Sequence, residues 1–308
     1  MLANFLINIG RKYTFMKTMC FLLLFIIGVS THAETFTVLD SATKQPVPFA
    51  TVLLKSDTNI VYGNYCGRDG KIDIDFEKSF DNAEISCVGY QNRIIDKASL
   101  TNTILLNKDI IDLDEVVINK TIRNFNLWGY TNFKMDFIVG LGKGMEEVVF
   151  IDNAARTPLL VKSFMFRIEK AKSKIAVRVH FYKKIANKME PDEEMLTEDL
   201  VTYIEPKTKG AVEVDVSGFN VYLPAEGAFI GIEALGKVDD ATGDFVDDTQ
   251  YGDVGLRLEY NYRQGIPATF VRNRFRIKAW DNNLDNQLGL DDPDKHLNAS
   301  FGIKTFKE

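Results

Sequence analysis

Apolar and polar residues alternate along most of this chain with a period of two, the signature of half-buried β-strands. KIAVRVHFY (174–182) is the clearest case: Ile175, Val177, Val179 and Phe181 would face a core, Arg178 and His180 would face out. AVEVDV repeats the pattern with Val212, Val214 and Val216, and VGLRLEYNY places Val254, Leu256, Leu258, Tyr260 and Tyr262 on one face. LLVKSFMFRIE and AFIGIEAL are longer apolar runs, as expected of central strands between two packed faces. Upstream, shorter segments separated by turn residues predict strands over 35–39, 49–55, 60–66, 71–76, 83–88, 91–95, 103–106 and 115–118. Asp69-Gly70 predicts a tight hairpin, because Gly70 tolerates positive φ, and Pro46 and Pro48 suit a strand entry or edge. The acidic stretch NKMEPDEEMLTEDLV is the one place for a short helix or a long loop, with Pro191 in a solvated first turn. The fold class is therefore all-β: two antiparallel β-sandwiches, the second jelly-roll-like.

Length supports two domains, since 308 residues exceed the usual size of one. The N-terminal part reads as a targeting segment. Lys17 precedes the apolar run from Cys20 to Val29, and small residues lead up to Ala33, the layout of a secretory signal peptide starting at Met1 or Met16. Cys20 opens the run instead of closing it, which places it poorly for lipoprotein acylation. The expected division is residues 1–33 signal peptide, 34–119 first β-sandwich and 120–308 second β-sandwich. Cleavage would remove Arg11, Lys12 and Lys17 and no acidic residue, taking the formal charge from −6 to −9. An acidic exported chain is poorly suited to nucleic acid and to anionic lipid. The expected location is the periplasm, outer membrane or cell surface of a Gram-negative bacterium, with no transmembrane span in the mature chain.

Four motifs in order, SATKQPVPFATVLLKS, GNYCGRDGKIDIDF, AEISCVGYQNRII and LDEVVIN, resemble the carboxypeptidase regulatory-like domain. The resemblance covers roughly residues 35–118 and implies a seven-stranded, transthyretin-like β-sandwich with no catalytic residues of its own. Such modules accompany metallocarboxypeptidases and precede the plug of TonB-dependent outer-membrane transporters. A transporter is disfavoured here, because the residues after Asn119 are too few for a plug and a closed barrel. LDEVVIN reads instead as the closing strand of the first domain and the start of its linker. The second part, from VRVHFYKK to GAFIGIEAL, loosely resembles the C-terminal half of exported bacterial proteins that begin with the same module, a half to which no activity is attached.

Chemistry is sparsely marked. His180 and His296 are the histidines after residue 33, and neither begins a zinc-protease pattern, so an active metallocarboxypeptidase is disfavoured. A G-x-S-x-G elbow is absent, and GLGKG at 140–144 lacks the spacing of a phosphate loop. Asp281, Asn283, Asp285 and Asp292 fall at positions 1, 3, 5 and 12 of a candidate calcium loop, although Asn286 replaces the glycine of its turn. VRNRFRIKAW would place Arg272, Arg274, Arg276 and Lys278 on one strand face, with Phe275 and Ile277 on the other. This cationic stripe, with Trp280 beside it, is a candidate grip for an acidic polysaccharide or partner; solvated charges on a wet strand face are the alternative. Trp128 is a second candidate platform for a sugar, or a packing anchor. Cys66 and Cys87 would be either a disulfide, which export permits, or two small buried hydrophobes.

The function expected from the sequence is thus an exported, non-catalytic cell-envelope protein that binds an envelope protein or polysaccharide through its β-sandwiches. No cofactor is implied beyond the calcium candidate. A glycan hydrolase using an unmarked carboxylate pair, or a structural or adhesive envelope component, are the alternatives.

Overall fold

The computed structural model describes residues 33–75, 79–109, 124–246, 252–264, 267–282, 284–290 and 295–307. Residues 1–32 of the expected signal peptide and LDEVVIN (113–119) lie outside the described residues.

Turn residues divide the first part of the chain into β1 (Ala33–Asp40), β2 (Thr51–Ser56), β3 (Asn59–Tyr65), β4 (Lys71–Asp75), β5 (Asn82–Ser86), β6 (Arg93–Asp96) and β7 (Thr103–Leu106). Each overlaps a strand expected from the sequence. They build a 3-stranded sheet in the order β4-β1-β7 and a 4-stranded sheet in the order β3-β2-β5-β6. β1 and β7 run parallel, with Thr37 opposite Thr103. Val38, Val52, Leu54, Ile85 and Leu106 are sealed from solvent and form the core. Gly70 does adopt positive φ, 72°, but the strands flanking its turn belong to different sheets, so the predicted hairpin is a crossover. The Gly70 carbonyl accepts from the Val38 N–H at 2.8 Å, which ties the turn to β1 in place of a β3–β4 ladder.

The second part continues with β8 (Phe125–Gly129), β9 (Phe137–Gly142), β10 (Met145–Ile151), β11 (Leu159–Ala171), β12 (Ile175–Lys184), β13 (Pro191–Glu194), β14 (Val201–Ile204) and β15 (Gly210–Asp215). Then come β16 (Tyr222–Leu223), β17 (Ala228–Lys237), β18 (Asp253–Gln264), β19 (Thr269–Asn273), β20 (Ile277–Asp281), β21 (Lys295–Ala299) and β22 (Phe301–Phe306). A 7-stranded sheet runs β13-β12-β17-β10-β19-β20, with β14 also on β12; an 8-stranded sheet runs β21-β18-β11-β22-β8, with β9, β15 and β16 attached. β10, β12, β17 and β19 belong to the first of these sheets and β11, β18 and β22 to the second, and their pairings are antiparallel. Val177, Val179, Phe181, Ile230 and Ile232 of one sheet and Phe164, Phe166, Leu258 and Phe301 of the other fill the space between. Phe164 meets Phe301 edge to face at 5.5 Å. Among the described residues, no helix is long and apolar enough to cross a membrane.

Two local expectations are corrected. The acidic stretch around Pro191 is neither helix nor loop throughout: Pro191–Glu194 is a strand paired with β12, Tyr182 opposite Glu194. VRNRFRIKAW is not one strand but a hairpin, β19 turning back into β20 with Asn273 opposite Ile277. Alternation alone cannot reveal that turn, because Phe275 is needed at its tip. There the ring is fully buried against Tyr65, centroids 4.8 Å apart, and against Gly63, where an added Cβ would sit 2.5 Å from it.

Residues 33–35 and 73–75 form a small unit, in which the Thr35 hydroxyl donates to Asp73 at 2.6 Å. The described residues of Phe36–Ile72 and Ser79–Glu308 form one compact unit holding both sandwich regions. Within it Phe49, Leu53 and Tyr65 of the first region share an apolar cluster with Ala176, Leu235, Val238 and Phe275 of the second.

Candidate functional site

Pleating sends Arg178, His180 and Tyr182 of β12 to the face of the 7-stranded sheet that turns away from the sandwich core. The register carries that face across four strands: Arg178 lies opposite Glu233, Glu233 opposite Glu146, and Glu146 opposite Arg272. The result is a row reading cation, carboxylate, carboxylate, cation. Two carboxylates directly opposite each other repel, and the flanking arginines compensate. The sequence places this face outward, and it is indeed outside the sandwich. It is nevertheless buried, because the first region covers it: Arg178 and His180 are 1% and 2% exposed, Glu146 and Glu233 both 0%.

Burial of so many charges requires that each be paired and hydrogen-bonded. Arg178 donates to Glu233 at 2.7 Å, in a fork to Asp199 at 2.6 and 3.2 Å, and to the Phe49 carbonyl at 2.7 Å. The Tyr65 hydroxyl donates to the other oxygen of Glu233 at 2.6 Å. The bonds to Phe49 and from Tyr65 cross from one sandwich region to the other. His180 stands with Nδ1 2.5 Å from Glu194 and Nε2 3.1 Å from Glu233. Tyr182 donates to Glu146 at 2.6 Å, and Arg272 donates to Glu146 at 2.7 Å and to the Tyr182 oxygen at 3.2 Å.

These contacts set the protonation states. Burial opposes ionisation of Glu233, but Arg178, His180 and Arg274 outweigh it and hold its pKa well below the usual carboxylate value. Glu146 is likewise lowered, by Arg272, His180 and Arg274 against burial. His180 is pushed up to about 9: burial disfavours the imidazolium, and Glu146, Glu194 and Glu233 more than compensate. At neutral pH both its ring nitrogens donate, one to each flanking carboxylate.

Beside this network opens a cleft of about 580 Å³, within the range of small-ligand sites. The first region contributes Thr51, Ser86 and Tyr90, and the second contributes His180, Tyr182, Glu194, Arg272 and Arg274. The wall at Gly89 is close-packed: at φ 80° its position leaves no room for a Cβ, which would lie 2.3 Å from the Thr197 carbonyl oxygen.

The structure brings together three of the residues singled out in the cationic stripe. Arg272 lies with its guanidinium carbon 4.0 Å from the Trp280 ring centroid and 5.7 Å from that of Tyr182. Arg274 faces Glu146 and Glu233 at 3.7 and 3.6 Å, beyond direct hydrogen bonding, and is one of the residues lining the cleft. Arg276 is exposed, and the side chain of Lys278 lies outside the described residues. Trp128 is elsewhere, on β8, donating to the Thr305 hydroxyl at 2.9 Å.

Of the calcium candidates, Asn283 and Asp292 lie outside the described residues. Asp281 is exposed at the end of β20, and Asp285 is engaged by His296 and by the Leu297 N–H, both at 2.9 Å. Cys66 and Cys87 are free thiols, not a disulfide. Burial pushes both thiols up, Cys87 to about 12 with Asp199 adding to the effect. Cys87 lies 3.8 Å from Asp199 and 4.0 Å from the Pro48 carbonyl.

Sequence reading passed over Glu146, Glu233, Glu194, Asp199, Tyr65 and Tyr182. A signal existed for two of them. A carboxylate inside AFIGIEAL or GMEEVVF, both otherwise apolar central strands, demands a buried cation, and Arg178, Arg272 and Arg274 were available. In GMEEVVF the neighbouring Glu147 points the other way, into the sandwich core. Its one bond is from the Tyr260 hydroxyl, its second oxygen has no partner, and burial raises its pKa to about 7.

No protein-family model and no curated protein matches this chain. Among solved structures it is similar to the clostridial cysteine protease Cwp84 after propeptide cleavage, at 9% identity and a TM-score of 0.40, over 84% of this chain and 66% of that one. It is also similar to the cysteine protease and lectin-like domains of Cwp84, a surface layer associated protein of Clostridium difficile, at 9% identity and a TM-score of 0.37, over 84% of this chain and 59% of that one. The chain thus spans less than two thirds of the length of either. The expectation of a non-catalytic chain is corrected by these neighbours, both of which carry a cysteine protease. A likeness of this degree hands over no catalytic residue and no substrate.

Proposed function

We propose that this chain is an exported cell-envelope protein that binds a glycan in the cleft between its two sandwich regions, the first being a carboxypeptidase regulatory-like module that supplies one wall. One observation carries the reading: Arg274 reaches the cleft over two fully buried carboxylates, with neither ion pair short enough to be a hydrogen bond. Its guanidinium is anchored at the cleft wall by these two carboxylates and keeps hydrogen-bonding capacity for a ligand. Around it the cleft alternates carboxylate, imidazole, phenol and guanidinium groups of balanced charge, which suits the mixed donors and acceptors of sugar hydroxyls. Arg272, fixed between Trp280 and Tyr182, supplies a rigid second donor group. The network beneath ties both walls together, so the site is preorganised.

The test is titration of the mature chain with neutral oligosaccharides prepared from envelope polysaccharide, followed by calorimetry. Binding that weakens about tenfold in Arg274→Met, with the fold retained, supports the reading. Capture of one envelope protein in place of polysaccharide, unaffected by Arg274→Met, overturns it. Release of shortened oligosaccharide during the titration would identify the cleft as hydrolytic.

A further inference from the structure

A second cleft, of about 620 Å³, lies where the ends of β10 and β18 meet the loop after β8. Tyr130, Phe133, Phe150 and Met189 give it an apolar side, and Asp152, Arg156, Arg263, Gln264 and Asn298 give it a polar one. Phe133 is 40% exposed. The Arg263 guanidinium lies over the Phe133 ring, and its Nε is buried without any hydrogen-bond partner. Leaving a buried donor of a charged group unmatched is costly, and such groups mark either strain or a missing acceptor. Tyr130, beside it, reaches only the Phe150 carbonyl, at the limiting distance of 3.5 Å.

The opposite rim is built with equal care. Arg156 sits at φ 55°, a left-handed conformation that side chains with a Cβ rarely adopt. Asn153, fully buried, holds that turn by donating to the carbonyls of Thr157 at 2.7 Å and Pro224 at 2.9 Å. Arg156 is thereby presented at the cleft, paired with Asp152 at 2.9 Å. Two arginines thus flank one cleft; Asp152, which also lines it, is taken up by Arg156, and Asp136 acts on Arg263 only from beyond ion-pair distance.

We infer that this cleft is a binding site for an acidic sugar, whose carboxylate is received by the part of the Arg263 guanidinium that lines the cleft and whose ring packs on Tyr130 and Phe133. A guanidinium outside any ion pair matches a carboxylate, and aromatic side chains match the apolar C–H face of a pyranose. This site shares no lining residue with the junction cleft, so it stands whether or not that cleft binds glycan.

The experiment titrates the mature chain with oligogalacturonate, with a neutral oligosaccharide of equal length and with a short peptide ending in phenylalanine. Oligogalacturonate should bind, more weakly as salt rises, and Arg263→Met should weaken it about tenfold or more. Phe133→Ala, with its fold confirmed by the unfolding curve, should weaken it as well. Absence of oligogalacturonate binding overturns the inference. So does binding unchanged in both Arg263→Met and Phe133→Ala, a stronger response to the neutral sugar, or preference for the peptide carboxylate.

Discussion

Glu147 makes the pH dependence of stability calculable. The carboxyl sits in the core of the second sandwich, entirely buried, with one bond from Tyr260 and one oxygen unmatched. Burial raises its pKa from 4.5 to about 7, only partly offset by the Tyr260 hydrogen bond. Below the unfolded value both states carry the proton, and Glu147 does not distinguish them. Above it the unfolded chain releases the proton first while the folded chain retains it, so the unfolded state gains. Folding stability falls by about 1.4 kcal/mol per pH unit across that interval. The loss is complete above the folded value, at about 3 kcal/mol.

Glu147→Gln removes the titration while keeping the shape and an acceptor for Tyr260. Urea unfolding of the wild type and the variant, at intervals between about pH 4 and pH 8, isolates the effect because every other group cancels in the difference. The variant should gain on the wild type steadily as pH rises toward 7 and then hold a constant lead. At the acid end it should have no lead, since its amide leaves a buried donor as unmatched as the carboxyl proton it replaces. Parallel stability curves would refute the reasoning: they would mean that Glu147 ionises as easily in the fold as in water, through solvent entry or a partner gained on ionisation.

His180 predicts the other limb. Its folded pKa, about 9 against an ordinary 6.5, means that its contribution is fully present below 6.5 and is lost as pH rises through 9. Wild-type unfolding should therefore lose about 3 kcal/mol over that window, and His180→Gln should flatten the limb while lowering stability at acid pH. Glu233→Gln strands Arg178 in a buried site and should destabilise by about 3–5 kcal/mol, read as a fall in melting temperature. Tyr65→Phe should cost less, about 1–2 kcal/mol, and a double-mutant cycle with Glu233→Gln should show coupling between the two regions. Gly89→Ala should destabilise by about 1–3 kcal/mol, because its Cβ would lie 2.3 Å from the Thr197 oxygen at φ 80°.

How much of this molecule is legible in its sequence depends on the range over which each cue acts. The first seven strands are legible because turn residues and alternation are local, and the inward row Ile175, Val177, Val179 and Phe181 is legible for the same reason. The β19–β20 hairpin is not, since the turn at Phe275 satisfies a cavity made by Gly63 and Tyr65, more than two hundred residues earlier. The same range limit hides the site. Alternation correctly assigns Arg178 and His180 to the face away from the core, yet it cannot say that a separate sandwich region covers that face. Glu146 and Glu147 make the point sharply. They are adjacent, chemically identical and equally buried, yet one is held ionised by arginines and the other is pushed toward neutrality by a core with a single tyrosine. The strand period puts them on opposite faces; only what each face meets decides the chemistry. A carboxylate within an apolar central strand is therefore best read as a demand for a partner. The sequence poses that demand at Glu146 and Glu233, and the fold answers it from β12 and β19.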